Sequence, residues 1–294
     1  MVERGGRLWP ALALTLNAFV WGVSWWPFRE LQRLGLHPLW ATALIYLVSL
    51  SLLLLARPDA WRALAREPML WLLMLAAGLT NVGFNWGVTV GDVVRVVLLF
   101  YLMPAWTVVL AWPMLGEQPS GASLLRLLLA MTGVFVVLKG PDTPWPVPES
   151  LADWLALAAG FSFALTNIVL RKLRHVAPAP RILAMFLGGA GLAAAAALAG
   201  TALGVVTALP VPRADWAGVG LALSLGFLVS NMALQYGASR LPAHTSALIM
   251  LSEIVFASVT SVALGASTLE PRTWLGGALI LVAAVWSAWP DQES

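Results

Sequence analysis

The sequence predicts an all-α integral membrane protein: ten transmembrane helices, built as two inverted five-helix repeats. Three observations carry this. Hydrophobic residues make up 60% of the 294 and charged residues only 11%. Apolar runs long enough to cross a bilayer follow one another along the chain, separated by short breaks rich in Pro, Gly and charge. Polar and glycine positions in the first half recur in the second at an offset of 150 residues, Asn81 falling on Asn231 and Gly87 on Gly237.

Composition comes first. A soluble domain carries about 25% charged residues, and at 11%, with a mean hydropathy of +0.84, this chain cannot cover a water-facing shell. Its surface must face lipid. The net charge of +3 does not point to nucleic acid, because the basic residues stand singly or in small groups between apolar runs. There is no cysteine, and His37, His175 and His244 have no ligand spacing, so no metal site or cofactor is expected. The first apolar stretch has no small-residue cleavage site at its end and reads as a retained helix.

A spanning helix needs about 20 apolar residues. The first half supplies Leu12–Phe28, Leu39–Leu55, Met69–Val90, Val96–Leu115 and Leu124–Leu138, and the second Leu151–Leu170, Ile182–Val206, Trp216–Tyr236, Ser246–Leu264 and Trp274–Trp289. The expected division is residues 1–139, a linker at 140–150, and 151–294. With the N-terminus inside, Arg4, Arg7, Arg57, Arg62, Arg66, Arg126, Arg171, Lys172, Arg174, Arg181 and Arg240 fall on the inner side. Arg29, Arg33, Arg95, Lys139, Arg213 and Arg272 fall outside. That bias places both termini in the cytoplasm.

At the offset of 150, Asn85 also aligns with Gln235, Trp86 with Tyr236 and Trp106 with Phe256; a slip of one pairs Gly116 with Gly265. The first and sixth spans align at an offset of 142, Arg29 on Arg171. Five spans per half is an odd number, so the second half enters the membrane from the opposite side. Such inverted repeats recur in transporters, with the substrate site near the midplane between them. The internal duplication also permits a working monomer.

Tyr101-Leu102-Met103-Pro104-Ala105-Trp106, followed by Leu115-Gly116-Glu117, resembles the signature of EamA-type carriers of the drug/metabolite transporter superfamily. Its second-half counterpart runs from Leu241-Pro242-Ala243 to Ser252-Glu253-Ile254-Val255-Phe256-Ala257, with Ile254 where the family usually has proline and Gly265-Ala266 where it has Gly-Glu. Asn17 through Trp21-Gly22 resembles the family's first helix. Within the superfamily the likeness is to YddG-type exporters of aromatic and other neutral amino acids. The resemblance implies a ten-helix carrier in the bacterial inner membrane, working by alternating access on a central cavity.

The candidate site residues are those that are costly in lipid. Glu253, near the middle of the ninth span, must face the interior or a wet cavity. It would bind an amino group, act as a coupling proton site, or form a buried hydrogen bond between helices. Asn81 and Asn85 share one face of the third span, and Asn231 and Gln235 repeat the pattern on the eighth. These amides suit a zwitterionic amino acid, or else join helices. Asn167 on the sixth span is read the same way. Trp21, on a face with Asn17 and Trp25, and Tyr101 suit cavity walls, and Pro104 suits a kink that gates the fourth span. Trp9, Trp145, Trp216 and Trp289 read as interfacial anchors.

No HExxH, GxSxG or Walker A sequence is present, which argues against an enzyme. Arg126, the only basic residue inside a span, is placed near its inner end, which disfavours phosphorylated cargo. The favoured function is export of neutral amino acids or similar small metabolites. The alternative is a proton-coupled multidrug exporter of lipophilic cations with Glu253 as counter-charge.

Overall fold

A computed structural model describes residues 5–116, 120–139, 148–238, 240–241, 249–267 and 270–288. Those residues form helices joined by short turns, with no strand among them. The helices are α1 (Gly5–Val23), α2 (Trp25–Arg33), α3 (Pro38–Ala56), α4 (Arg62–Arg66), α5 (Met69–Val90), α6 (Val93–Phe100) and α7 (Met103–Leu115). They continue as α8 (Gly121–Leu138), α9 (Leu151–Lys172), α10 (Pro178–Ala202), α11 (Ala214–Ala238), α12 (Ser252–Ala263) and α13 (Pro271–Ala288).

Among the described residues, seven helical stretches are long and apolar enough to cross a membrane: Leu8–Arg33, Pro38–Ala56, Met69–Val90, Val93–Leu115, Leu151–His175, Pro178–Ala202 and Ala214–Leu234. Leu124–Val137 and Ser252–Ala263 are shorter apolar helices. Large apolar side chains stand bare on the outside, with Leu55, Leu128, Met232 and Val259 each more than 60% exposed. Only hydrocarbon covers such a surface without cost. The chain is a multi-pass membrane protein.

Helix ends follow local chemistry. The Asp92 side chain accepts from the Arg95 backbone N–H at 2.9 Å and starts α6 two residues after α5 ends. Ser150 and Asp153 form a reciprocal capping box at the start of α9. Gly116 closes α7 with φ of 73°, and Gly265 follows α12 with φ of 67°; in this left-handed region only glycine is unstrained. The expected linker lies mostly outside the described residues, as do Pro242 and Ala243.

Close packing follows the small residues. A Cβ on Gly133 (α8) would stand 2.7 Å from the Gly276 carbonyl oxygen, and one on Gly276 (α13) 2.6 Å from that of Gly133. Gly78 on α5 meets Gly188 on α10 in the same manner, at 2.5 Å. Bare backbones let these helix pairs touch and gain dispersion contact where lipid offers no hydrophobic drive.

Several expectations are corrected. The first span was expected to end at Phe28, but the helix runs on, and Arg29 and Arg33 both lie on α2, within the Leu8–Arg33 stretch. The half-buried Arg29 guanidinium donates to the carbonyl oxygens of Val88, Gly91 and Ala266 and lies over the Trp25 ring. Trp216 is not an interfacial anchor. It is only 8% exposed and belongs to a buried apolar cluster that also holds Leu223. Trp9, 68% exposed, fits the anchor role; Trp145 and Trp289 lie outside the described residues.

Candidate functional site: a central cavity at two helix breaks

The stretch Val93–Leu115 is not one helix. It breaks at Tyr101-Leu102 and restarts as α7, where Pro104 occupies the first turn. Pro104 therefore does not kink a continuous helix; it begins a new one, a position where its missing N–H costs nothing. A second break, a turn at Leu251, precedes α12, so Glu253 falls in that helix's first turn.

The two breaks meet. Tyr101 Oη lies 3.0 Å from Glu253 Oε2 and 3.3 Å from the Met250 carbonyl oxygen, a group that the second break leaves without a helical partner. The phenol has one hydrogen. With Glu253 ionised, that hydrogen goes to the carboxylate. With Glu253 neutral, the acid donates to the phenol, whose own hydrogen turns to Met250. Both charge states are satisfied without moving a helix.

Beside this junction is a cavity of about 600 Å³. Trp21, Asn81, Tyr101, Asn167, Asn231 and Glu253, all singled out from the sequence, line it. Asn85 does not. It is fully buried, and its Nδ2 donates to Thr42 Oγ1 at 3.3 Å, which makes it a tie between α5 and α3. The Gln235 side chain lies outside the described residues. Trp25 is also absent from the wall: the turn at Ser24 breaks the helix face it was expected to share with Trp21, and its Nε1 donates to Thr260 Oγ1 on α12 at 3.0 Å.

Much of the wall was not legible in sequence. Tyr46, Phe84, Phe100, Phe163 and Phe186 come from five helices and give the chamber its aromatic lining. Trp21 stacks on Phe227 with centroids 4.5 Å apart and planes 16° from parallel. Phe100 meets Phe84 at 4.8 Å and Phe163 at 5.4 Å. Single aromatic residues in apolar runs carry no signal that separates cavity wall from core or lipid face.

Arg126 is a correction. It stands near an end of its span as expected, in the second turn of α8, yet it lines the cavity with its residue 7% exposed. Its guanidinium donates to the Trp286 carbonyl oxygen at 3.3 Å and lies 5.9 Å from the Trp286 ring centroid. Among the described residues, the chamber's lining thus includes one acidic and one basic side chain within aromatic walls.

At one end of the bundle an ion pair ties three helices. Arg95 Nε and Nη2 reach the two Asp153 oxygens at 2.7 and 2.9 Å, and Nη1 donates to the Val137 carbonyl oxygen at 2.8 Å. The joined elements are α6, α8 and α9.

A lipid-facing helical bundle that encloses a mixed aromatic and polar chamber, with broken helices at its edge, defines a multi-pass membrane transporter. The EamA-like transporter family matches the sequence twice, over residues 8–139 and 150–289. The chain belongs to the EamA-like transporter family, within the drug/metabolite transporter superfamily. It is 28% identical over 290 residues to "Protein RarD" of Streptomyces exfoliatus, covering 92% of this chain and 85% of that one. A solved crystal structure shares the fold at a TM-score of 0.59 and 18% identity, covering 96% of this chain and 97% of that one.

Proposed function

We propose that the protein exports neutral amino acids, aromatic ones included, or similar small metabolites, by alternating access between two inverted five-helix repeats. It would act from a bacterial cytoplasmic membrane with both termini inside, and as a monomer. In this reading ten spans are formed by α1–α2, α3, α5, α6–α7, α8, α9, α10, α11, a ninth span that includes α12, and α13.

The repeat reading is supported by correspondences at the offsets found in sequence. The two family matches divide at the same midpoint. Tyr101 and Leu251, where the fourth and ninth spans break, are 150 residues apart. Gly116 and Gly265, two of the four glycines with left-handed φ among the described residues, are the two the alignment joined. The packing partners exchange as a two-fold relation requires: α5 on α9 and α10 corresponds to α11 on α1 and α3, and α7 on α9 to α12 on α1. Interrupted helices in corresponding positions of two halves are the usual mark of a midplane binding site.

The observation that carries the cargo is that Glu253 and Arg126 both line one aromatic chamber. Opposite charges match an α-amino acid's ammonium and carboxylate, and the rings match its side chain. A phosphorylated cargo would meet the Glu253 carboxylate with only one guanidinium to compensate.

The test is counterflow of labelled phenylalanine or methionine into liposomes holding the purified protein, with and without a pH gradient. Saturable uptake competed by other amino acids and indifferent to the gradient is expected. A second reading, a proton-coupled exporter of lipophilic cations, is favoured by the Glu253–Tyr101–Met250 arrangement, which accommodates both charge states. Gradient-driven movement of such a cation, abolished by Glu253→Gln, with no amino-acid uptake, would move the assignment there.

A further inference from the structure

Several hydrogen-bond donors on the cavity wall are engaged by the protein itself, while Trp21, Asn167 and Arg126 also bring donor groups to it. The hydroxyls of Thr80, Thr107 and Thr166 each donate to the backbone carbonyl four residues back, at 2.9 Å. Tyr46 donates to Asn81 Oδ1 at 2.5 Å, and Tyr101 is held at the helix breaks. Asn17 Nδ2 bonds both the Ser230 carbonyl oxygen (3.0 Å) and Ser230 Oγ (2.6 Å), which uses both of its hydrogens. Hydroxyls and amides that face inward with their hydrogens engaged present lone pairs.

Two acceptors are left over beside Glu253. Asn17 is fully buried at the cavity wall, and its Oδ1 has no hydrogen-bond partner. Such an orphan acceptor is rare unless something else occupies it. Asn231 donates through Nδ2 to the Phe227 carbonyl oxygen at 2.9 Å, as Asn81 does to that of Ala77 at 2.8 Å. The two asparagines are aligned at the offset of 150, and their carbonyl partners keep the same spacing. They differ in one respect. Asn81 Oδ1 is covered by the Tyr46 phenol, whereas no donor among the described residues reaches Asn231 Oδ1. The corresponding stretch of α10, Gly188–Leu192, has no side chain that could supply one. Asn17 is bonded to Ser230, the residue next to Asn231, and Asn17, Asn231 and Glu253 all line the one chamber.

We propose that Asn17 Oδ1, Asn231 Oδ1 and the Glu253 carboxylate form an ammonium subsite, which recognises cargo by its protonated amine. An ammonium group offers three donors and no acceptor, the complement of these three acceptors. The proposal rests on the transport reading above and narrows it: the amine is the required group, and the carboxylate is secondary. A cargo lacking the amine leaves three acceptors facing an apolar ligand, and a hydrogen bond to a charged group is the kind whose loss discriminates most.

The experiment measures ligand-induced thermal stabilisation of the purified protein alongside competition in phenylalanine counterflow. The probes are phenylalaninamide, which keeps the ammonium and lacks the carboxylate, and 3-phenylpropionate, which is the reverse. Phenylalaninamide is expected to stabilise the protein and to compete within about tenfold of phenylalanine, and 3-phenylpropionate to do neither. Asn231→Leu should weaken phenylalaninamide by about tenfold or more, and Asn231→Asp, which keeps the acceptor, should retain it; Asn17→Leu should act like Asn231→Leu. Stabilisation by 3-phenylpropionate equal to or above that by phenylalaninamide overturns the subsite. So does a response to neither probe, or an Asn231→Leu protein that folds and binds phenylalaninamide normally. Phenylalaninamide binding without amino-acid counterflow would leave the subsite standing and overturn the amino-acid reading instead.

Discussion

Removing the Arg95 side chain should destabilise the protein more than removing the Arg95–Asp153 pair together. The Asp153 side chain is 2% exposed and the Arg95 side chain 21%. Among the described residues, Asp153 accepts two guanidinium hydrogen bonds and otherwise only the backbone N–H groups of Glu149 at 3.1 Å and Ser150 at 3.4 Å. In Arg95→Leu a carboxylate remains buried with those two weaker donors, a situation that costs about 3–5 kcal/mol. Asp153→Leu leaves a guanidinium that can reach solvent and keeps its bond to Val137, but forfeits the capping box, worth about 1 kcal/mol. The double replacement removes the uncompensated charge, so its cost should fall short of the sum of the singles by at least about 2 kcal/mol. At roughly 2–4 °C per kcal/mol for a chain of this size, Arg95→Leu should lower the apparent unfolding temperature in detergent by about 6–20 °C. The assay is a thermal scan of wild type, both singles and the double at one scan rate. Additive singles, or an Arg95→Leu loss under about 3 °C, would refute the argument that this pair is a buried rivet.

Tyr101→Phe removes the single donor shared by Glu253 and Met250, and should reduce counterflow about tenfold while leaving the protein folded; unchanged counterflow would detach this contact from transport. Gly133→Leu must push α8 from α13, because even its Cβ would stand 2.7 Å from the Gly276 carbonyl oxygen. A loss of about 1–3 kcal/mol is expected, read as a lower unfolding temperature, and no change would contradict the close approach. His37 caps α3, its Nδ1 accepting from the Leu39 N–H at 3.2 Å, and burial holds the imidazole below its usual value of 6.5. The unfolded chain therefore takes up the proton first. The cap's contribution is fully present above about 6.5 and is lost as pH falls through the lowered value. His37→Asn, which caps without titrating, should flatten that part of the stability–pH curve; identical curves would exclude His37 as its source.

What the sequence determined by itself is whatever depends on the solvent. A chain with 11% charge must face lipid, lipid demands helices, and an ionisable or amide side chain within a span must turn inward. That logic reached Glu253, Asn81, Asn167 and Asn231 on the cavity wall. It could not separate Asn85 from Asn81, because both lie on one face of α5. Only the position of α3 decides that Asn85 meets Thr42 while Asn81 borders the chamber. It likewise placed Pro104 in a kinked helix, where the tertiary structure has a break two residues earlier, held by a phenol reaching across to Glu253. The aromatic wall, Arg126 and the orphan Asn17 oxygen were beyond it for the same reason. In a hydrophobic solvent the apolar pattern of a helix no longer marks which face is buried, so only the packing of helix on helix tells core, chamber and lipid surface apart.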